Sequence, residues 1–152
     1  MKAEERLKEL GLTLPPPPKP VGSYIPVSIS GNMLYTSGII PLENGKLNYK
    51  GRFPSDFSIE QGQSMANICV LNALSAIKDC ISSLNKISKI IKLNGFIRCD
   101  RDFYDQPKVL NGASDLLIKI FGEKGHHARS AIGVPDLPLG SPIELELIME
   151  LL

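Results

Sequence analysis

A chain of 152 residues, 43% of them hydrophobic, has the length for one buried core of ordinary size and leaves no room for a second. Its 17 Lys and Arg stand against 16 Asp and Glu, a formal net charge of +1, which excludes the overall basic field that draws a protein to nucleic acid or an anionic membrane. Cys69, Cys80 and Cys99 are odd in number and lack any CxxC or Cys/His ligand spacing, so neither a disulfide framework nor a metal site is expected.

Buried free thiols in a reducing cytoplasm are the simplest account of those cysteines. The segment Met1 to Leu14 is too charged for a secretory signal, and no apolar run approaches the roughly 18 to 20 residues that span a bilayer, so a soluble cytoplasmic protein without membrane contact is expected.

Taken in order, Lys2 to Leu10 sets Leu7 and Leu10 among charged residues, with Glu4 and Lys8 spaced as an i,i+4 pair, and predicts a short amphipathic helix stopped by Gly11 and docked on the domain surface. Leu14 to Pro20 is a polyproline strap leading into the first strand; an SH3-ligand mimic is the alternative. Residues 1–20 are accordingly read as an extension and residues 21–152 as the folded domain. Strands are predicted over Ile25 to Ser30 and Met33 to Ser37, joined by a Gly31-Asn32 turn, with Gly38 ending the second. A turn at Glu43-Asn44-Gly45 leads to a weak strand, Leu47 to Arg52.

Ser58 and Gln61 form a capping box that opens a helix running to Cys80 or Ile81, with Met65, Ile68, Cys69, Leu71, Leu74, Ile77 and Ile81 as its core stripe. Its Asn67 and Asn72 are read as solvated or locally bonded. Lys89 to Cys99 reads as a buried strand with a bulge at Gly95, and a second helix runs from about Pro107 to Phe121, closed by Gly122. A short strand from Ser130 to Val134 follows Arg129. Pro135, Pro138, Gly140 and Pro142 punctuate the link to a last strand, Ile143 to Glu150.

That order predicts an α+β fold, a mixed six-stranded sheet with two helices on one face. The uncovered face would have to be buried by assembly. In the last strand the period-2 alternation puts Glu144 and Glu146 on one face and Ile143, Leu145 and Leu147 on the other. A hairpin-like return would bring Arg129 near that strand. The guanidinium could then clamp a small carboxylate by two parallel hydrogen bonds while a carboxylate orients water; an ordinary surface ion pair with Glu144 or Glu146 is the other reading. His126 and His127 are read as loop residues, with proton carriage as the alternative.

His127-Ala128-Arg129-Ser130-Ala131 followed by Ile143-Glu144-Leu145-Glu146 resembles the C-terminal signature of the reactive intermediate deaminase family, also called Rid or YjgF. Val21-Gly22-Ser23-Tyr24, Ser30 to Gly38 with Pro41, and Asn111 are similar to the family's other motifs, in the same order. The resemblance implies a chorismate-mutase-like homotrimer with ligand clefts between subunits. It also implies hydrolysis of a reactive 2-imino acid, in the manner of a 2-iminobutanoate/2-iminopropanoate deaminase, with no metal or organic cofactor.

Carried over residue by residue, Arg129 would hold the substrate carboxylate and Glu144 would orient or deprotonate water. Gly38 would offer backbone polar atoms, Tyr24 would close the cleft, and Asn111 would help fix the site. Departures are His127 where many members have Pro, Ala131 where many have Cys, Ile39 in place of a polar residue, and the N-terminal extension. Two other functions are the alternatives: keto-acid binding without turnover, and the endoribonuclease or translation-inhibitor activity ascribed to some relatives, which would require salt-sensitive RNA binding.

Overall fold

The computed structural model describes residues 1–19 and 22–152, so Pro20 at the end of the strap and Val21 at the start of the first motif lie outside the described residues, and the 20/21 boundary with them. Among the described residues there are three α-helices: α1 (Ala3–Glu9), α2 (Ile59–Ile81) and α3 (Gln106–Phe121). The strands are β1 (Val27–Ser30), β2 (Met33–Thr36), β3 (Leu42–Glu43), β4 (Lys46–Leu47), β5 (Ile87–Arg98), β6 (Ala128–Val134) and β7 (Ile143–Leu151).

The capping box forms as its residues require: Ser58 Oγ accepts from the Gln61 N–H at 3.1 Å and Gln61 Oε1 accepts from the Ser58 N–H at 2.8 Å, satisfying donors that a helix start leaves over. From there α2 buries Met65, Cys69, Val70, Leu74 and Ile77 against the sheet. Its length and apolar composition would allow a bilayer crossing, but here it is a core helix, half covered by the sheet and α3. Asn72 is neither solvated nor locally bonded: its amide donates to the carbonyls of Ile40 and Leu42, tying α2 to the chain entering β3.

The main sheet has five strands in the order β1-β2-β7-β5-β6, not the six expected; β3 and β4 form a separate two-stranded ribbon, and the weak strand over residues 47–52 shrinks to Lys46–Leu47. Residues 46–50 offer only Leu47 and Tyr49 for burial. A segment with so little apolar surface gains little from joining a sheet. β5 is the centre of the molecule, antiparallel to β7 and parallel to β6.

Gly95 is not a bulge. It pairs in register with Leu145 and Ala131, while the register shifts fall between Ile87 and Lys89 and between Ile90 and Lys92. What Gly95 supplies is room, because a Cβ there would run into the side chain of Leu110 on α3.

α2 and α3 cover one face of the sheet, held together where Gly112 of α3 lies so close to the Gln63 backbone that an added Cβ would strike it. Gln63 Nε2 also donates to the Lys108 carbonyl at 2.9 Å. α1 docks by a polar latch that the i,i+4 reading missed. Instead of Lys8, the Glu4 carboxylate meets the Ser83 hydroxyl and Leu84 N–H, both at 3.1 Å, and the Lys78 ammonium at 3.4 Å. Burial works against ionising Glu4, but the Leu84 N–H, the Ser83 hydroxyl and Lys78 together hold its carboxyl below the usual value.

The strap continues across α2, with Leu12 and Leu14 packed on the core and Ser75 Oγ donating to the Pro15 carbonyl. The cysteines are free, but only Cys69 is buried; Cys99 is half-buried and Cys80, on the outer side of the last turn of α2, is exposed.

Candidate functional site

Strand alternation decides which side chains can meet. On β6, Arg129, Ala131 and Gly133 face the helices, since Arg129 is in register with buried Leu93 and a Cβ at Gly133 would touch Cys99 and Gln106. On β7, Ile143, Leu145, Leu147 and Met149 face the helices, so Glu144, Glu146, Ile148 and Glu150 face the uncovered side. Tyr35, opposite Ile148, and Phe96, opposite Glu144, share that side.

The expected juxtaposition of Arg129 with the Glu144 strand does not occur within one chain. β5 lies between β6 and β7, and the proline-rich link is a crossover rather than a hairpin return. Arg129 aligns through Leu93 with Leu147, three residues along from Glu144. Two strand spacings across and three residues along put the two Cα atoms roughly 14 Å apart, with the side chains on opposite faces. The reason is topological: α3 is a crossover that lays β6 parallel beside β5, and an alternating pattern in β7 specifies its faces without specifying its neighbour. The ion-pair reading fails with it, because among the described residues no carboxylate pairs with Arg129.

Arg129 is instead held by neutral groups on α3. Nη1 donates to Ser114 Oγ at 3.1 Å and Nη2 to the Pro107 carbonyl at 3.4 Å. Pro107, Asn111 and Ser114 are spaced i, i+4, i+7 and therefore share one stripe of α3, which sets Asn111 between the two groups that grip the guanidinium. A guanidinium has five N–H donors, so three remain for a ligand, and the group is on the sheet's rim. Asn111 and Arg129 are thus brought together.

Tyr24, Gly38 and Glu144 form a second group at the other side of the sheet. The Ser37 N–H donates to the Pro26 carbonyl at 2.9 Å and Ser37 Oγ to the Ile25 carbonyl at 2.6 Å, tying the approach to β1, with Tyr24, to the Ser37-Gly38 end of β2. Ile39 exchanges backbone hydrogen bonds with Leu145 at 2.7 and 2.9 Å, which carries Gly38 past the start of β7. There the Glu144 carboxylate lies against the Gly38 backbone: an added Cβ would sit 2.8 Å from Cδ and 2.9 Å from Oε1. Any residue but glycine would displace that carboxylate. Tyr24 itself is 53% exposed.

Burial raises the Glu144 carboxyl above its ordinary value, and the neighbouring Glu146 charge adds to the effect. Glu146 accepts a hydrogen bond from Asn94 Nδ2 at 3.1 Å. A half-buried carboxylate of raised basicity beside exposed backbone can orient and deprotonate water. Among the described residues no three His, Cys, Asp or Glu side chains converge as a metal site would require.

At the Arg129 edge one polar residue, Ser114, has no place in the sequence reading, and another, His127, has a different place from the loop position expected for it. Ser114 Oγ lies 3.0 Å from His127 Nε2, and His127 Nδ1 lies 2.6 Å from the Gly125 carbonyl, so His127 is anchored rather than a free loop residue. The available signal was the helical spacing of Ser114 from Pro107 and Asn111, together with the i,i+2 placement of His127 and Arg129.

This fold is that of a known class. The chain belongs to the family described as "YjgF/chorismate_mutase-like, putative endoribonuclease", whose model matches residues 4–151. Among its relatives, protein TCP17 of Trypanosoma cruzi is 34% identical over 95% of this chain and 91% of that protein. A Dermatophagoides farinae protein named 2-iminobutanoate/2-iminopropanoate deaminase is 31% identical over 91% of this chain and 93% of that one. Among solved structures, a Shewanella oneidensis MR-1 protein described as a "putative endoribonuclease" superposes with a TM-score of 0.95 at 38% identity, covering 99% of this chain and all of that one.

Proposed function

We propose that the chain is a deaminase of reactive 2-imino acids, of the 2-iminobutanoate/2-iminopropanoate type, working in a reducing cytoplasm as a homotrimer. Each site would form where the Arg129–Asn111 edge of one copy meets the Tyr24–Gly38–Glu144 end of the next. The observation that carries the reading is Arg129 itself, a half-exposed guanidinium held by a hydroxyl and a carbonyl, with N–H donors left over for a small carboxylate. The named deaminase among its relatives supports the same chemistry.

In the proposed reaction Arg129 holds the substrate carboxylate and Glu144 takes a proton from water as the water oxygen bonds to the imine carbon. The C=N π electrons move to nitrogen, which takes that proton back from Glu144. The carbinolamine then collapses: Glu144 accepts the hydroxyl proton as the carbonyl forms and hands it to the amino nitrogen as the C–N bond breaks, and the products are a 2-keto acid and ammonia. The imine carbon is electrophilic from the outset, so holding and orienting supply most of the acceleration. Gly38 contributes backbone polar atoms, Tyr24 covers the cleft and Asn111 braces the carboxylate end. An RNA-cleaving function has less support, because 17 Lys and Arg against 16 Asp and Glu supply no overall basic field to hold an RNA backbone.

The test generates 2-iminobutanoate and 2-iminopropanoate in place with a serine/threonine dehydratase and follows keto-acid release. Wild-type protein accelerates release and Arg129→Ala does not. Traces that coincide with and without wild-type protein would overturn the deaminase reading and leave keto-acid binding without turnover.

A further inference from the structure

The contacts that hold Arg129 extend one residue further than its own hydrogen bonds, and the proposed reaction uses none of that extension. A carbonyl oxygen only accepts, so the 2.6 Å approach of His127 Nδ1 to the Gly125 carbonyl requires the imidazole proton on Nδ1. Nε2 then carries a lone pair, and at 3.0 Å it accepts the proton of Ser114 Oγ. With its one proton committed to His127, Ser114 can turn only lone pairs toward Arg129 Nη1, at 3.1 Å. A hydroxyl that donates is also a better acceptor, because linked hydrogen bonds polarise one another.

We propose that Ser114 and His127 are positioning residues for the carboxylate anchor: the imidazole fixes the Ser114 hydroxyl as a pure acceptor, and that hydroxyl, with the Pro107 carbonyl, fixes the plane of the Arg129 guanidinium. The inference rests on reading Arg129 as a ligand anchor. Burial disfavours the charged imidazole and the Arg129 and His126 charges add to this, while the Gly125 carbonyl opposes it. The balance holds His127 below its ordinary range and so neutral at pH 7. His127 lies just before β6, two residues ahead of Arg129, whereas Ser114 comes from α3, so the arrangement ties the entry to the rim strand to the helix where a ligand carboxylate would pull on it.

The first readout needs no ligand. Imidazole ¹⁵N shifts of the full chain at pH 7 should show a protonated Nδ1 and an unprotonated Nε2 on His127, and a protonated Nε2 would overturn the proposal. The second compares wild type with Ser114→Ala for 2-oxobutanoate affinity and for imine kinetics. KM and the dissociation constant should each rise about tenfold, the loss of one charge-assisted hydrogen bond, while kcat stays within about twofold.

His127→Gln, whose amide can accept from Ser114 and donate to Gly125, should hold affinity within about threefold, and His127→Leu should lose it as Ser114→Ala does. Unchanged affinity in both Ser114→Ala and His127→Leu overturns the proposal. If wild type binds the keto acid but turns over no imine, the deaminase reading falls while the affinity comparison still decides this one. Absence of both binding and turnover in wild type overturns both.

Discussion

Glu144 combines two properties that usually conflict, a half-buried position and a charge. Its carboxyl is raised by burial and by Glu146, so the folded state binds its proton more tightly than the unfolded chain does. As the proposed base it must be ionised. Turnover should therefore fall on acidification with a midpoint above the ordinary carboxylate value, and a rate-against-pH profile checks this. The same shift has a sign for stability. A raised carboxylate destabilises the fold at pH above both of its pKa values, and the loss is recovered as pH drops through the folded value toward the unfolded one. Glu144→Gln should accordingly abolish turnover yet melt at a higher temperature than wild type at pH 7.5, and the difference in Tm should shrink toward pH 4. A Tm difference independent of pH would contradict the assignment.

At the scale of elements, α3 places the Arg129 edge, and its seat on α2 depends on Gly112. Substituting Ala would push a methyl into the Gln63 backbone, an overpacking that typically costs about 1–3 kcal/mol. Gly112→Ala should lower stability to chemical denaturation by about that amount. The α1 latch is separately testable: Glu4→Gln keeps the side chain's length but removes the charge that meets Lys78 and the Leu84 N–H. It should increase amide exchange across residues 3–9 and leave the sheet's protection unchanged.

Much of this level could be read from the sequence. The Ser58–Gln61 box, the alternation in β7 and the length of α2 are local patterns, and local patterns report periodicity and caps reliably. Strand neighbours are not local. Nothing in residues 128–151 says that β5 intervenes between β6 and β7, which is why Arg129 and Glu144 were expected side by side. Nor does Leu47–Arg52 reveal from its own residues that it stays in a separate ribbon with β3. Ser114 is hidden, and the anchoring of His127 with it, for a related reason, since their contact exists only when α3 and the approach to β6 are laid together.

For the whole molecule, the five candidate residues fall into two groups that one chain keeps apart: Arg129 with Asn111 on the rim facing α3, and Tyr24 with Gly38 and Glu144 at the other side. One sheet face is also uncovered and carries Tyr35, Phe96 and Ile148. Closed assembly of identical copies covers such a face and can join the two groups in the same step. The central claim is therefore that the site belongs to two copies at once. Mixing dissociated Arg129→Ala and Glu144→Gln proteins in equal amounts, reassembling them and measuring imine hydrolysis tests it directly. Each parent should be inactive, and random reassembly into threefold rings should restore about a quarter of wild-type sites, those pairing an intact Arg129 with a neighbour's intact Glu144. A reassembled mixture as inactive as its parents, while wild type treated the same way recovers, would contradict the shared site.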